Sequence, residues 1–243
     1  MIREVDGIII SSRDYSETSK ILNVLTEEYG IIGVMAKGSR TLRSPLRSVT
    51  DKLTYGKFMI FYKENKLSIL SEVNIIDPFK EVKKSIELIS YASYLLDLSE
   101  QVIKQTAHSY VYPLLIQALV KLNEKYDPLV ITNILELKYL DYLGVLPVLD
   151  ACSICNNKTD IVTLSSDKGG YICQKCRTTE SIISSKSIKL FRMYYYVEIS
   201  KIEKLDVSKE SKKEINDFLD NYYDRYTGLY LKTKNFLNTI REI

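Results

Sequence analysis

The chain of 243 residues has no tryptophan, one histidine, five prolines and four cysteines, and each scarcity closes off a class of chemistry. His108 stands alone in the stretch Thr106-Ala107-His108-Ser109. No Ser/His/Asp set assembles around it, and no cysteine has a histidine partner for nucleophilic work. No apolar run approaches the roughly 20 residues needed to span a bilayer. The opening Met1-Ile2-Arg3-Glu4-Val5-Asp6 is acidic where a secretory leader is basic. A cytoplasmic protein with no membrane partner is therefore expected. The cysteines fall into two tight pairs, an arrangement for a metal and not for a disulfide framework, which suits a reducing compartment. Internal repeats and low-complexity linkers are also missing. In the absence of tryptophan, 19 tyrosines carry the aromatic load. Most recur beside apolar neighbours at helical spacing, as in Tyr91, Tyr94, Leu95 and Leu98, which points to packing before base stacking.

What is present begins with Cys152-Ser153-Ile154-Cys155 and Cys173-Gln174-Lys175-Cys176, separated by 17 residues. Two residues between cysteines let one turn aim both sulfurs at a single ion, and the intervening segment is long enough to fold back with the second pair. One structural zinc ion held by Cys152, Cys155, Cys173 and Cys176 is the expected cofactor. Four thiolates close the coordination shell, whereas catalytic zinc keeps a position open for water or substrate. Gly169-Gly170 before the second pair fits a tight hairpin. A thioredoxin-like redox role would need one pair at a helix start in a βαβ setting, which this pattern lacks.

Up to residue 76 the chain reads as five short strands: Val5 to Ser11, Lys20 to Thr26, Ile31 to Ala36, Lys57 to Tyr62 and Leu67 to Val73. The longest gap, Lys37 to Tyr55, lies between the third and fourth, where an OB-fold carries its helix or long loop. An SH3-like barrel stays open on periodicity alone. After Asp77-Pro78 the period becomes helical: Glu81 to Gln105, Tyr112 to Lys125 with Pro113 in its first turn, and Pro128 to Leu143 ended by Gly144. Helical spacing resumes near Ser185. Ser211-Lys212-Lys213-Glu214 has the form of a capping box, and a short helix is expected from Thr233 to Arg241. The expected class is α+β with several domains. An OB-fold β-barrel (1–78) precedes an α-helical body (79–243), and the body carries a zinc-binding insertion at about 148–180.

Between Ala36 and Thr50 stand Lys37, Arg40, Arg43 and Arg47 with no acidic residue among them. Arginines three and four apart would line one face of a short helix, and guanidinium forks match phosphate oxygens. Arg13 and Lys20 are flanking contacts of the same kind, and Tyr15, Tyr55 and Tyr62 are candidate stackers. A solvated basic loop is the competing reading. A barrel that docks a protein and never meets DNA is a further one, as is a transcription or translation factor. Gly33 to Arg40 nearly matches a phosphate-cradling loop, but Ser39 stands where that motif needs lysine, so an ATPase is rejected. A zinc nuclease lacks a ligand cluster with an open position.

The stretches Gly7-Ile8-Ile9-Ile10, Tyr15-Ser16-Glu17-Thr18-Ser19-Lys20 and Ala36-Lys37-Gly38-Ser39-Arg40 together resemble the amino-terminal domain of bacterial RecO recombination mediators. Glu136-Leu137-Lys138-Tyr139-Leu140 with Leu143-Gly144-Val145-Leu146-Pro147 is similar to that family's helix leading into its zinc loop. Leu231-Lys232-Thr233 with Phe236-Leu237 resembles its closing segment, Thr233 replacing the usual serine. Asn156 stands after Cys155 where members often have glycine; asparagine also tolerates a left-handed turn. The resemblance implies a DNA-repair accessory protein that is not an enzyme. Such a protein binds single-stranded and duplex DNA, anneals complementary strands and works with RecR. It also helps load RecA onto DNA coated by single-strand-binding protein. A second role for the zinc loop is that Lys168, Lys175 and Arg177, on or beside it, touch DNA as well.

Overall fold

The computed structural model describes residues 1–106 and 110–241; His108 lies outside the described residues. Five strands, β1 (Ile2–Tyr15), β2 (Ser19–Thr26), β3 (Gly30–Ala36), β4 (Tyr55–Phe61) and β5 (Ser68–Asp77), close into a barrel in the order β1-β2-β3-β5-β4. The long β1 pairs antiparallel with both β2 and β4, and a register shift between Ile9 and Ser11 bends it so that one strand serves two neighbours. Closure is completed by a short parallel contact between β3 and β5, Val34 with Ser68 and Met35 with Ile69. This is the five-stranded, partly open topology of an OB-fold. Alternating apolar residues supply its core, including Ile9, Leu22, Val34, Phe58 and Ile60.

Seven α-helices follow among the described residues: α1 (Lys80–Lys84), α2 (Ile86–Gln105), α3 (Val111–Asn123), α4 (Pro128–Tyr142), α5 (Ser185–Tyr196), α6 (Lys209–Tyr226) and α7 (Lys232–Arg241). A hairpin, β6 (Ile161–Ser165) and β7 (Gly170–Cys173), lies between α4 and α5. The chain forms two compact units, Met1–Asn123 with the segment from Thr233, and Glu124–Lys232. Helices α1 to α3 thus share a unit with the barrel. Within it the Asn123 side chain accepts from the backbone N–H of Glu81 at 3.0 Å, holding the start of α1 against the end of α3. The Thr233 hydroxyl donates to Asp97 at 2.7 Å. None of the described helices is long and apolar enough to cross a membrane.

Two local expectations are corrected, and one reading left open between helix and loop is decided. The helix read from Glu81 to Gln105 is two helices. Ser85 leaves helical geometry, and its hydroxyl accepts from the Leu88 N–H at 3.2 Å, so a serine inside an apolar period acts as an N-cap. In α6 the cap is Ser208, which accepts from the N–H of Ser211 at 3.2 Å, while Ser211 itself is buried and bonds Ser187 at 2.8 Å. The basic 37–55 segment forms turns and one 3-10 helix, Arg47–Val49, in place of an α-helix. Pro45 disfavours helical geometry at Ser44, so the arginines do not line a helix face.

Candidate metal centre and nucleic-acid face

The second unit brings all four cysteines to one point. The sulfurs lie within 4.8 Å of one another, and Cys155 and Cys173 are 3.7 Å apart. A metal at the usual zinc–sulfur distance of ~2.3 Å needs tetrahedral edges of ~3.8 Å, so the set fits a tetrahedral ion. Each pair sits on a backbone knuckle. Asn156 takes a positive φ of 59° and its N–H reaches the Cys152 carbonyl at 2.9 Å; Arg177 returns its N–H to the Cys173 carbonyl at 3.0 Å. Cys152 and Cys173 are buried, Cys155 is exposed and Cys176 is half-buried.

The electrostatics ask for a cation. Burial opposes ionisation of Cys152, but backbone groups of Cys173, Cys155 and Ile154 hydrogen-bond to its sulfur and hold the thiol down to about 6. Cys176 is pushed up to about 12, chiefly by sharing hydrogen bonds with the Cys155 thiol and by burial. Four crowded sulfurs cannot all carry charge alone, whereas a divalent ion stabilises every thiolate at once.

The β6–β7 hairpin positions the second pair, as the glycines suggested. Gly170 is bound on both sides by Val148: the Val148 N–H reaches the Gly169 carbonyl at 2.9 Å and Tyr171 returns one at 3.0 Å. A Cβ on Gly170 would stand 2.4 Å from the Val148 oxygen, and its φ of 144° is open only to glycine. Lys168 is held inside the loop, 2.7 Å from Glu180 and 2.8 Å from the Thr178 hydroxyl, and Arg177 donates to the Glu180 carbonyl at 2.9 Å. Lys175 is exposed.

On the barrel, the structure brings four of the six sequence-selected cations, Arg13, Lys20, Lys37 and Arg40, near the tip of the β1–β2 hairpin. Lys20 is opposite Asp14 on one side and Ala36 on the other, which sets Lys37 beside the same tip. The loop after β3 is tied down there. The Arg40 N–H reaches the Thr18 carbonyl at 2.8 Å, its guanidinium donates to the Ser16 carbonyl at 2.9 Å, and it pairs with Asp14 at 3.0 Å. Leu46 packs against the barrel core, leaving Arg43 and Arg47 exposed on either side of it in sequence. Lys20 pairs with Asp51 at 2.7 Å. Among the described residues, Arg13, Lys37, Arg43 and Arg47 make no ion pair. Two of the six cations are thus partly neutralised, and Arg40 also anchors the loop.

Of the three tyrosines singled out, Tyr15 is exposed at the hairpin tip, whereas Tyr55 stacks on buried Phe79 with centroids 5.9 Å apart. Tyr62 meets Tyr29 at 4.9 Å, and Arg3 lies over both rings. Sequence reasoning missed the roles of Arg3 and Tyr29, because no local spacing connects positions 3, 29 and 62.

Comparison with known proteins covers the same span. Residues 1–79 match the family described as Recombination protein O N terminal, and residues 83–235 match Recombination protein O C terminal. The DNA repair protein RecO of Bacillus pumilus is 34% identical over 247 aligned positions, covering 100% of this chain and 96% of that protein. The proteins of the same name from Listeria monocytogenes and Bacillus mycoides are 33% and 32% identical, covering 97% and 99% of this chain and 94% and 98% of theirs.

Proposed function

This chain belongs to the RecO family of DNA repair and recombination proteins, and on that premise we propose that its barrel binds single-stranded DNA and anneals complementary strands. In this reading it acts in the cytoplasm with RecR, releases duplex DNA as its annealing product, and helps load RecA where single-strand-binding protein coats the template. The observation that supports the reading is the set of Arg13, Lys20, Lys37 and Arg40 near one hairpin tip of an OB-fold, with Arg43 and Arg47 exposed on the loop that Arg40 ties to it.

Annealing needs no bond-breaking group. Two strands repel through their phosphates, and a surface that neutralises part of that charge while leaving bases free raises their productive encounter rate. Fixing the loop through Arg40, Ser16 and Thr18 places Lys37, Arg43 and Arg47 before the strand arrives, so less ordering entropy opposes binding. We assign zinc to the four cysteines, where thiolate donors and tetrahedral spacing suit it, with a structural role: it would hold the β6–β7 hairpin to the segment after α4.

Fluorescence anisotropy of a labelled single-stranded oligonucleotide between 50 and 200 mM salt tests the barrel assignment. Four unpaired cations meeting four phosphates contribute about −2.8 to the slope of log affinity against log salt, or roughly 50-fold weakening across that range. Arg43→Ala/Arg47→Ala should make the slope shallower by about 1.4, which is about 7-fold over the same range. An affinity independent of salt, or an unchanged slope in the variant, would place any DNA contact elsewhere.

A further inference from the structure

A second feature of the barrel lies at the end of β3 away from Lys37. An open groove of about 370 Å³ runs between the first half of β3 and the β4–β5 loop, lined by Tyr29, Gly33, Tyr62, Lys63, Asn65 and Lys66 among others. Its floor is aromatic. Tyr29 and Tyr62 pack on the barrel core yet remain half-exposed, with their rings tilted by 33°. The Arg3 guanidinium sits 5.4 Å from one ring centroid and 5.2 Å from the other, and it donates to the Tyr29 hydroxyl. A cation locked over both rings holds the pair in one geometry.

Two lysines stand on its rim, with Glu64 next to Lys63 in the same loop. Lys63, Asn65 and Lys66 are exposed on the β4–β5 loop, and Lys63 and Lys66 make no ion pair among the described residues. Gly33 opens the wall: a Cβ there would lie 2.9 Å from Leu67. An aromatic floor with two ammonium groups at its edge matches a nucleobase joined to phosphates. A protein segment would need carboxylates and an apolar side chain at matching spacing to use both the lysines and the rings, whereas every nucleotide joins a flat base to a phosphate.

We propose that this groove is a base-stacking subsite for single-stranded nucleic acid, in which one base lies against the Tyr29–Tyr62 pair while Lys63 and Lys66 take the adjoining phosphates. The inference rests on the barrel meeting DNA and adds where the strand goes. Six residues of β3, at ~3.3 Å each, put the stacking groove ~20 Å from the Lys37 end, within the few nucleotides one OB-fold accommodates. The strand then runs along β3 from a stacking end to an electrostatic end.

The absence of tryptophan supplies a clean probe. Tyr62→Trp creates a single indole whose fluorescence is quenched when a base stacks on it, read in parallel with anisotropy of a labelled thymidine oligonucleotide. Saturable quenching with the same midpoint as the anisotropy is the expected result. Lys63→Ser/Lys66→Ser, confined to exposed side chains, should weaken binding about 7-fold more at 50 than at 200 mM salt, from two lost phosphate contacts. Binding by anisotropy without quenching, together with an unchanged double variant, would overturn the subsite and leave DNA binding by the barrel intact. No anisotropy change with the unsubstituted protein would overturn both. Equal quenching by free thymidine monophosphate at the same nucleotide concentration would assign the groove to mononucleotides instead.

Discussion

Removing one cysteine tests whether the metal centre is a structural element. Cys173 is fully buried and its sulfur is 3.7 Å from that of Cys155, so Cys173→Ser takes away a central ligand and leaves a hydroxyl that zinc binds poorly. Structural zinc contributes on the order of 10 kcal/mol to the folding of small modules. Losing even ~3 kcal/mol of that would raise the population of the locally open loop by more than ~100-fold. The amides that report it are those bridging the site: Ser153 to the Tyr171 carbonyl at 2.8 Å, Tyr171 to Val148 at 3.0 Å, and Gln174 to Asp160 at 2.9 Å. Hydrogen exchange followed by mass spectrometry should show this segment exchanging at least ~100-fold faster, while peptides from buried α4 around Ile134 and Leu135 keep their protection. Metal content should fall from one zinc per chain to none, and a strong chelator should reproduce the exchange pattern in the unsubstituted protein. Full loss of zinc with unchanged exchange across residues 148–176 would refute the structural role.

Two further outcomes concern the same unit. Gly170→Ala forces a Cβ against the Val148 backbone in a conformation closed to alanine, and should cost about 3 kcal/mol, a fall in Tm of roughly 6–12 °C for a chain of this size; a melt within 2 °C of the parent would show the strand contact to be dispensable. Glu180 is held down to about 2, first by its bond from Lys168 and then by the Thr178 backbone. A depressed carboxyl stabilises the fold fully above the ordinary value of 4.5 and loses that contribution as pH falls toward 2. Glu180→Gln should therefore melt lower than the parent at neutral pH, and the gap should narrow as acid is added between those limits. A gap that stays constant with pH would remove the Lys168–Glu180 pair from the account.

Much of this architecture is legible in the sequence because its causes are local. Alternating Ile and Val residues place all five barrel strands; the structure extends β1 to Tyr15 and β5 to Asp77, and moves the facing ends of β4 and β5 by one residue, to Phe61 and Ser68. Cysteine spacing and the Gly169-Gly170 turn locate the four-cysteine cluster without reference to anything distant. Where distant partners decide, the sequence is silent. The charge of the 37–47 loop is plain, but its attachment to Asp14, Ser16 and Thr18 joins positions more than 20 apart. Serine is ambiguous for a different reason. Ser85, Ser208 and Ser211 all suit either a cap or a helix interior, and only the surrounding packing selects. Tyr62 could be singled out as a candidate stacker from sequence; that it shares one guanidinium with Tyr29 and faces a groove depends on barrel closure.

Annealing itself is the most direct test of what the barrel does. Complementary oligonucleotides carrying a fluorescence donor and acceptor should pair faster when the protein is added, and Lys37→Ala/Arg43→Ala/Arg47→Ala should lose most of that acceleration while melting at the parental temperature. A folded triple variant that anneals at the unsubstituted rate, or an unsubstituted protein that leaves the rate unchanged, would contradict the assignment of strand annealing to this cluster.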